Sequence, residues 1–198
     1  LYEIPYLDGV FCGKQVTDVH PNLSRGTVSG TTSFQIENMT GTAQEVAFAI
    51  NPGYEINSVQ ANGQSVPFEI DDYQESNMAL LNITIPDLES IDLCFDYQGF
   101  PQDWNLMETM QGKPEISSKY LCLENQTLAP MIMNVGTADG MFSSITDITL
   151  PDTMTVIPFG IAEAKKEIEH DNGTITWRIE DTGTGGILYA GDYVRQDI

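Results

Sequence analysis

The side chains that most often carry out hydrolysis are sparse in this sequence. Its 198 residues include two histidines, His20 and His170, which lie 150 positions apart. A hydrolytic zinc site is usually recognised by a helical His-Glu-x-x-His pattern, whose i, i+4 spacing places both imidazoles on one face. No such pattern occurs in this chain. We therefore expect it to bind no metal and no other cofactor.

Motifs for nucleophilic catalysis and phosphate binding are missing as well. There is no Gly-x-Ser-x-Gly elbow, and residues 182–188 contain glycines but no lysine. Without a lysine or a following helix, such a loop has little to hold a phosphate. Carboxylates are too abundant for an acid–base pair to be singled out from the sequence. We expect no catalytic residue in this chain and do not expect it to be an enzyme.

Charge excludes two classes of partner. The chain has 29 Asp and Glu residues against 8 Lys and Arg, for a formal net charge of -21. Such a surface repels phosphate backbones and anionic lipid head groups, so we expect no nucleic-acid partner. No apolar run approaches the ~18–20 residues of a membrane span, so we expect no membrane insertion by this segment. The sequence begins with Leu1 and has no signal-peptide pattern, which suggests an excised piece of a longer protein.

The three cysteines are odd in number and widely spaced. They therefore form neither a zinc knuckle nor a complete disulfide framework. Cys94 and Cys122 lie in strand-like runs, where small buried thiols are common, and we favour core positions for both over a disulfide. We expect Cys12, near the start of the chain, to be exposed.

Strand patterns dominate the sequence. Runs rich in β-branched and aromatic residues, bounded by Gly, Pro, Asn or Asp, predict strands at 27–38, 43–51, 78–86 and 90–98. Asn62-Gly63 and Asn172-Gly173 each predict a hairpin with a type I′ turn, because Asn-Gly readily adopts the positive φ angles of that turn. The run before Asn172 has helix-forming composition, but the hairpin favours a strand.

One short helix is predicted, at 103–111. Asp103 is a plausible N-cap, apolar residues recur after it, and Gly112 follows. Because strands recur without a regular strand–helix alternation, the fold class is all-β, an antiparallel sandwich of packed, saddle-like sheets. We expect a single domain over 1–198, divided into an N-terminal extension (1–25), a first strand-rich part (26–98), a crossover (99–118) and a second strand-rich part (119–198).

Aromatic residues leave two interpretations open. Trp104 and Trp177, with Tyr54, Tyr73 and Tyr97, could line a face that binds sugar or peptide, or could pack in the core and at sheet edges. The second arrangement is the commoner one for aromatic residues on strands. The first would make the chain a free-standing carbohydrate- or peptide-binding surface module, which we retain as the alternative function.

Several segments taken together resemble a known family. "TTSFQIENMTGTAQEVAFAINPGYEINSVQANGQSVPFEI" is followed by "YLCLENQTLAPM", "SSITDITLPDTMTVIPFG" and "NGTITWRIED". This order of strands and turns resembles the N-terminal β domain of M1-type zinc aminopeptidases, over about residues 30–193. The variant it looks most like is the extracytoplasmic M1-like region of bacterial ABC-transporter permeases or of membrane-tethered peptidase relatives.

The resemblance implies a function without catalysis. In the family, a peptidase domain with the His-Glu-x-x-His motif follows this domain, and that motif is not in this chain. It implies a scaffold on the extracytoplasmic side, which packs against a downstream domain of the same polypeptide or against a membrane complex. The family's substrate-contacting stretch corresponds to the region of Glu124 and Gln126, so these two residues, with Trp104 and Trp177, are the candidate substrate or partner contacts.

Overall fold

The computed structural model describes residues 4–73, 78–107, 110–124, 127–138, 142–158, 162–182 and 187–192. Within these ranges the chain forms strands and no α-helix, which confirms the all-β prediction. The strands are β1 (Leu7–Asn22), β2 (Thr27–Asn38), β3 (Gln44–Ile50), β4 (Tyr54–Ala61), β5 (Gln64–Ser65), β6 (Phe68–Tyr73), β7 (Met78–Ile85), β8 (Ser90–Gly99), β9 (Trp104–Met107), β10 (Met110–Gly112), β11 (Glu115–Ile116), β12 (Tyr120–Glu124), β13 (Met131–Ile132), β14 (Val135–Thr137), β15 (Ser143–Pro151), β16 (Thr155–Pro158), β17 (Glu163–His170), β18 (Thr174–Asp181) and β19 (Ile187–Gly191).

These strands form four sheets. Sheet A has nine strands in the order β17-β18-β15-β1-β2-β8-β4-β5, with β14 also paired to β1. Sheet B has the order β13-β3-β7-β6, sheet C pairs β10 with β9, and sheet D has the order β11-β12-β19-β16. The pairings are antiparallel except those that β1 makes with β14 and β15. The four strands predicted most clearly from the sequence appear as β2, β3, β7 and β8.

The core lies between the inner faces of the sheets. Along β2, exposed and buried side chains alternate, because successive side chains of a strand point to opposite faces. Phe34 of β2, Phe95 of β8 and Phe48 of β3 meet there with ring centroids 4.7 to 5.7 Å apart. Contacts between aromatic rings at this separation join sheet A to sheet B. The predicted packing of antiparallel sheets is therefore confirmed.

Strand β1 occupies the middle of sheet A. It pairs antiparallel with β2 from Val10 to Asn22 and parallel with β15 from Lys14 to Val19. Residues 1–25, set apart in the sequence as an N-terminal extension, therefore contain an inner strand of the largest sheet. Parallel pairing needs a long crossover between the partners, and here more than a hundred residues separate β1 from β15.

The predicted helix at 103–111 is wrong. The described part of this stretch forms β9 and, with Gly112, β10, which pair as a hairpin. The segment before it is anchored by Asn51, whose Nδ2 donates to the Gln102 carbonyl (2.8 Å) while its Oδ1 accepts from the Gln102 N–H (2.9 Å). Trp104 is buried against Ala49. Long-range contacts of this kind override a modest helix propensity.

Both Asn-Gly hairpins are confirmed, but only one has the predicted turn. Asn62 and Gly63 both have positive φ (50° and 77°), as a type I′ turn requires. The second loop has three residues, 171–173, between β17 and β18, and only its glycine has a positive φ (76°). The type I′ prediction is wrong there because an extra residue lets Gly173 alone take the left-handed conformation, as in hairpins with a bulge.

Two of the three cysteines lie elsewhere than expected. Cys12, predicted to be exposed, is 1% exposed, because it shares the inward face of β1 with Val10. Cys94, predicted to be in the core, is half-buried on the outer face of sheet A, because Leu93 and Phe95 take the inward positions of β8. Cys122 is buried as expected, and all three thiols are free.

In the ranges that the structure describes, there is no helix of the length and apolar character needed to cross a membrane.

Candidate functional site

Sheet D has one face in the core and one face turned outward. Five residues of its inward face are buried: Leu121, Leu123, Val156, Leu188 and Ala190. Directly opposed residues on neighbouring strands share a face. The strand registers therefore place one residue from each of the four strands in a row on the outward face: Glu115, Cys122, Tyr189 and Ile157. We call this surface the outer face of sheet D.

The outer face of sheet D is rich in apolar and aromatic surface. Tyr120 and Tyr189 lie with their ring centroids 6.5 Å apart, and Ile157 is 45% exposed. Glu115 is exposed at one margin, and Glu124 is half-buried at the end of β12. The face thus combines tyrosine rings and an aliphatic side chain with carboxylates, a composition suited to contact with another polar–apolar surface.

The segment after Glu124 is fixed to sheet A by two buried tyrosines. The Tyr54 hydroxyl donates to the Thr127 carbonyl, and the Tyr97 hydroxyl donates to the Leu128 carbonyl (2.5 Å). The Thr127 hydroxyl accepts from the Glu124 N–H (2.6 Å) and donates to the Glu124 carbonyl (2.8 Å). Because buried backbone groups must find partners, these bonds hold residues 127 and 128 against sheet A.

Burial keeps the hydroxyl and thiol groups of this region protonated. Desolvation, followed by the nearby Tyr97, raises the pKa of Tyr54 well above its usual value, and desolvation likewise raises the pKa of Tyr97. Desolvation and the charge of Glu124 raise the pKa of Cys122 to about 11. A thiol that stays protonated at neutral pH is a poor nucleophile. These groups therefore serve as hydrogen-bond donors and packing surface.

The structure separates the four candidate contacts predicted from the sequence. Glu124 lies at the margin of the outer face of sheet D, and Gln126 lies outside the described residues. Trp104 is 3% exposed in a small cluster with Ala49, and Trp177 is 7% exposed in the main core. The two indoles therefore belong to different hydrophobic clusters and do not form one binding face.

Apolar residues surround both tryptophans, and a lysine lies over the ring of Trp177. The Lys166 ammonium lies 5.3 Å from the centre of the Trp177 ring, an arrangement that favours a cation over an aromatic face. Among the described residues, neither buried indole N–H group has a hydrogen-bond partner. Their burial leaves little ring surface for a sugar to stack against.

Tyr54 and Tyr97 are the residues whose role the sequence reasoning missed. They were grouped with the tryptophans as aromatic residues of strands, but the structure buries both with ring centroids 5.2 Å apart. For Tyr97 a signal was present, because it continues the inward alternation of Leu93 and Phe95 in β8. A buried tyrosine needs a partner for its hydroxyl, but the sequence does not identify the carbonyl that accepts it.

No group of three or more potential metal-ligating side chains occurs among the residues that the structure describes.

Comparisons with known proteins find similarity in structure alone. No protein-family model and no curated protein matches the chain. Among solved structures, the M1 zinc metallopeptidase from Deinococcus radiodurans superposes with a TM-score of 0.67 at 13% identity, over 96% of this chain and 44% of that chain. A mutant of that enzyme bound to a Tyr-Ser-Ala substrate gives a TM-score of 0.68 at 12% identity, over the same shares of the two chains.

A solved structure from a second organism also resembles this chain. Native leukotriene A4 hydrolase from Saccharomyces cerevisiae gives a TM-score of 0.62 at 14% identity, over 92% of this chain and 29% of that chain. This chain therefore spans less than half the length of the solved structures it resembles. Its fold is that of the N-terminal β domain of M1 zinc aminopeptidases.

Proposed function

We propose that this chain is a non-catalytic β domain that packs, through the outer face of sheet D, against a following peptidase-like or membrane domain of the same polypeptide. One observation carries the proposal. The structural matches cover 92–96% of this chain but 29–44% of the neighbouring chains. A domain of this fold is thus one part of those longer proteins.

The composition of the outer face of sheet D supports its assignment as the packing surface. Tyr120 and Tyr189 supply aromatic area, and Ile157 supplies an exposed aliphatic side chain. Aromatic residues are enriched, and lysines depleted, in the parts of a protein surface that another protein covers. Glu115 and Glu124 at the margins favour a partner surface that carries basic groups.

The course of the chain supports the same face. β19 is the last strand in the described residues, and it lies inside sheet D between β12 and β16. The last described strand is therefore part of the sheet that carries this face, so a domain that follows in the polypeptide is joined close to sheet D in sequence.

The sequence resemblance supports a more specific setting. It favours an extracytoplasmic position in a protein associated with an ABC-transporter permease or in a membrane-tethered peptidase relative. Adding protease to spheroplasts of cells that produce the full-length parent tests this setting. Protection of the β domain in spheroplasts, with digestion after lysis, would contradict it.

Assays on the chain itself test the absence of catalysis. We expect the 198-residue chain to contain no stoichiometric zinc and to release no amino acid from aminoacyl substrates. Metal analysis after purification without chelator, with a fluorogenic aminopeptidase assay, measures both. Stoichiometric zinc together with turnover would contradict the proposal.

A matched pair of substitutions tests the packing surface in the full-length parent. Ile157→Asp places a charge on the outer face of sheet D, whereas Thr31→Asp places one on the exposed outer face of sheet A. We expect Ile157→Asp to increase proteolysis between the β domain and the next domain and Thr31→Asp to leave it unchanged. Equal behaviour of the two variants would contradict the assignment of this face.

The burial of the two tryptophans does not support the alternative function, binding of a carbohydrate or peptide at aromatic residues. It requires exposed rings, but Trp104 and Trp177 are 3% and 7% exposed. Domain packing is therefore the function that we propose.

A further inference from the structure

A small cavity of about 20 Å³ lies between the inner face of sheet A and the segment 128–131, where β13 begins. Polar residues line it on one side and apolar residues line it on the other. The residues of sheet A are Gln15, Thr17, Ser144 and Thr146, and those of the segment are Leu128, Ala129, Pro130 and Met131. None of these residues belongs to the outer face of sheet D, so the cavity is separate from the proposed packing surface.

Polar side chains interrupt the apolar inner face of sheet A beside this cavity. Thr17 and Thr32 are 2% and 1% exposed, and their hydroxyl oxygens lie 2.9 Å apart. The Gln15 Nε2 donates to both hydroxyls, at 3.4 and 3.3 Å. Burying a polar group costs free energy unless it finds hydrogen-bond partners. Apolar packing alone therefore does not account for these residues on an inward face.

The strand register adds two more hydroxyls to the same face. Ser144 is the register partner of Gln15, and Thr146 is that of Thr17, so the four side chains lie on one face of sheet A. The hydrogen bonds found among the described residues do not involve the hydroxyl of Ser144 or of Thr146. A hydroxyl has one donor and two acceptor sites. This face therefore offers both donors and acceptors to a molecule in the cavity.

The volume of the cavity limits the size of its ligand. A cavity needs about 10–15 Å³ to hold one water molecule, so about 20 Å³ is enough for one water and too small for an organic ligand. Cavities that stay empty are apolar, whereas buried waters have two to four polar partners. We propose that this cavity binds one structural water molecule, which hydrogen-bonds to Ser144 and Thr146 and bridges them to the segment 128–131.

A cation fits this cavity less well than water. Among the described residues, none of those that line the cavity is charged. Burying a charge without a partner of opposite charge costs far more free energy than burying a neutral molecule. Leu128, which lines the cavity, also accepts the hydrogen bond from the Tyr97 hydroxyl through its carbonyl. The water thus provides a second polar attachment between sheet A and the same segment.

Two magnetic resonance measurements on the 198-residue chain test for this water. We expect a nuclear Overhauser effect from the water resonance to Ala129, whose side chain has no exchangeable proton. Oxygen-17 relaxation dispersion counts the waters that stay bound in the protein and does not detect protein hydroxyls. The first measurement gives the place of the water, and the second shows that the signal comes from water itself. Absence of the effect at Ala129 would overturn the proposal.

Matched double variants identify the hydroxyls that hold the water. Ser144→Ala with Thr146→Val removes both hydroxyls and leaves the bond between Thr17 and Thr32 in place. Ser29→Ala with Thr31→Val makes the same two changes at exposed positions on the outer face of sheet A. We expect the first variant to contain one bound water fewer than the natural chain and the second to be unchanged. Equal counts in the two variants would overturn the proposal.

Hydrogen exchange tests the bridge to the segment 128–131. Loss of one bridging hydrogen bond should make the Ala129 amide exchange about tenfold faster in Ser144→Ala with Thr146→Val. The outer-face variant should keep the natural rate. Loss of the water without faster exchange at Ala129 would show that the water does not attach this segment to sheet A. These measurements are independent of zinc content and of domain packing.

Discussion

The outer faces of sheets A and D differ in composition, although both sheets bury mainly apolar residues on their inner faces. On sheet A, the outward residues of β2 are all polar: Ser29, Thr31, Ser33, Gln35 and Glu37. On sheet D, the outward rows contain Tyr120, Tyr189 and Ile157, together with Glu115 and the buried Cys122. A face made of serine, threonine and acids is stable in water, whereas aromatic and aliphatic area gains free energy when it is covered. The difference indicates which side of the domain meets a partner.

The polar groups of the outer face of sheet A bind one another across strands. Arg178 makes a two-pronged pair with Asp147 (2.7 and 2.8 Å), and Asn57 donates to Asp96 (2.6 Å). Pairs of this kind on a solvated surface contribute only about 0–1 kcal/mol each. This face therefore keeps one side of the sheet in water and contributes little to folding.

The largest expected effect comes from the inner face of sheet D. Leu123 is fully buried in the main core. Replacing it with alanine should lower the free energy of unfolding by about 3 kcal/mol, because the substitution leaves a cavity. Urea denaturation followed by far-UV circular dichroism measures the change.

An aliphatic residue on the opposite face of sheet D is the matched control. Ile157 is 45% exposed. In the isolated chain, Ile157→Ala should lower the free energy of unfolding by less than about 1 kcal/mol, because the side chain already contacts water. If the two substitutions had equal cost, the distinction between the inner and outer faces of sheet D would be wrong.

The next largest effect concerns the hydrogen bond that holds Leu128 against Tyr97 of sheet A. Tyr97→Phe removes the hydroxyl that donates to the Leu128 carbonyl and leaves that carbonyl without its donor. A buried group left unpaired costs about 1–3 kcal/mol, so we expect a loss of about 2 kcal/mol in the same urea experiment.

The matched control for this connection is Tyr6→Phe at an exposed tyrosine. Tyr6 is 63% exposed, so loss of its hydroxyl should leave stability unchanged. If Tyr97→Phe were equally neutral, the bond to Leu128 would not fix the segment between β12 and β13.

Local sequence patterns predicted the strands because the information for them is local. Alternation of side chains along β2 and β8, and the Asn-Gly pairs, identified elements that the structure contains. The parallel pairing of β1 with β15 was beyond reach, because nothing in either segment specifies a partner so far away in the chain. The helix prediction at 103–111 failed for a related reason: Asn51 and Ala49, distant in sequence, decide the conformation there.

The candidate site was less predictable than the fold. Glu124 was identified through a family resemblance, but the outer face of sheet D depends on four strands from distant parts of the chain. The sequence around Cys94 does contain a signal for its outward position. Its neighbours Leu93 and Phe95 are more apolar than Cys94, so they are expected to take the inward positions of the strand.

The smallest expected effect on stability is that of replacing an exposed cysteine. The reactivity of the three thiols also compares the outer faces of sheets A and D directly. Cys94 lies half-buried on the outer face of sheet A, whereas Cys122 is buried on that of sheet D and Cys12 in the core. At pH 8 we expect a disulfide reagent to modify Cys94 first in the native protein. Cys94→Ser should abolish the fast phase, while all three thiols react in denaturant. If Cys94→Ser still shows fast modification, the placement of Cys94 as the exposed thiol on the outer face of sheet A is wrong.

The pH dependence of labelling extends this comparison. Burial raises the pKa of Cys12 to about 12, and burial together with Glu124 raises that of Cys122 to about 11, from an ordinary value of 9.0. Between pH 9 and 11, the unfolded chain loses these thiol protons while the folded chain keeps them, so the free energy of unfolding falls as pH rises. In Cys94→Ser, the rate at Cys122 should therefore increase with pH up to about 11, because the thiolate is the reactive form. A rate that levels off near pH 9 would show that the outer face of sheet D leaves this thiol in water.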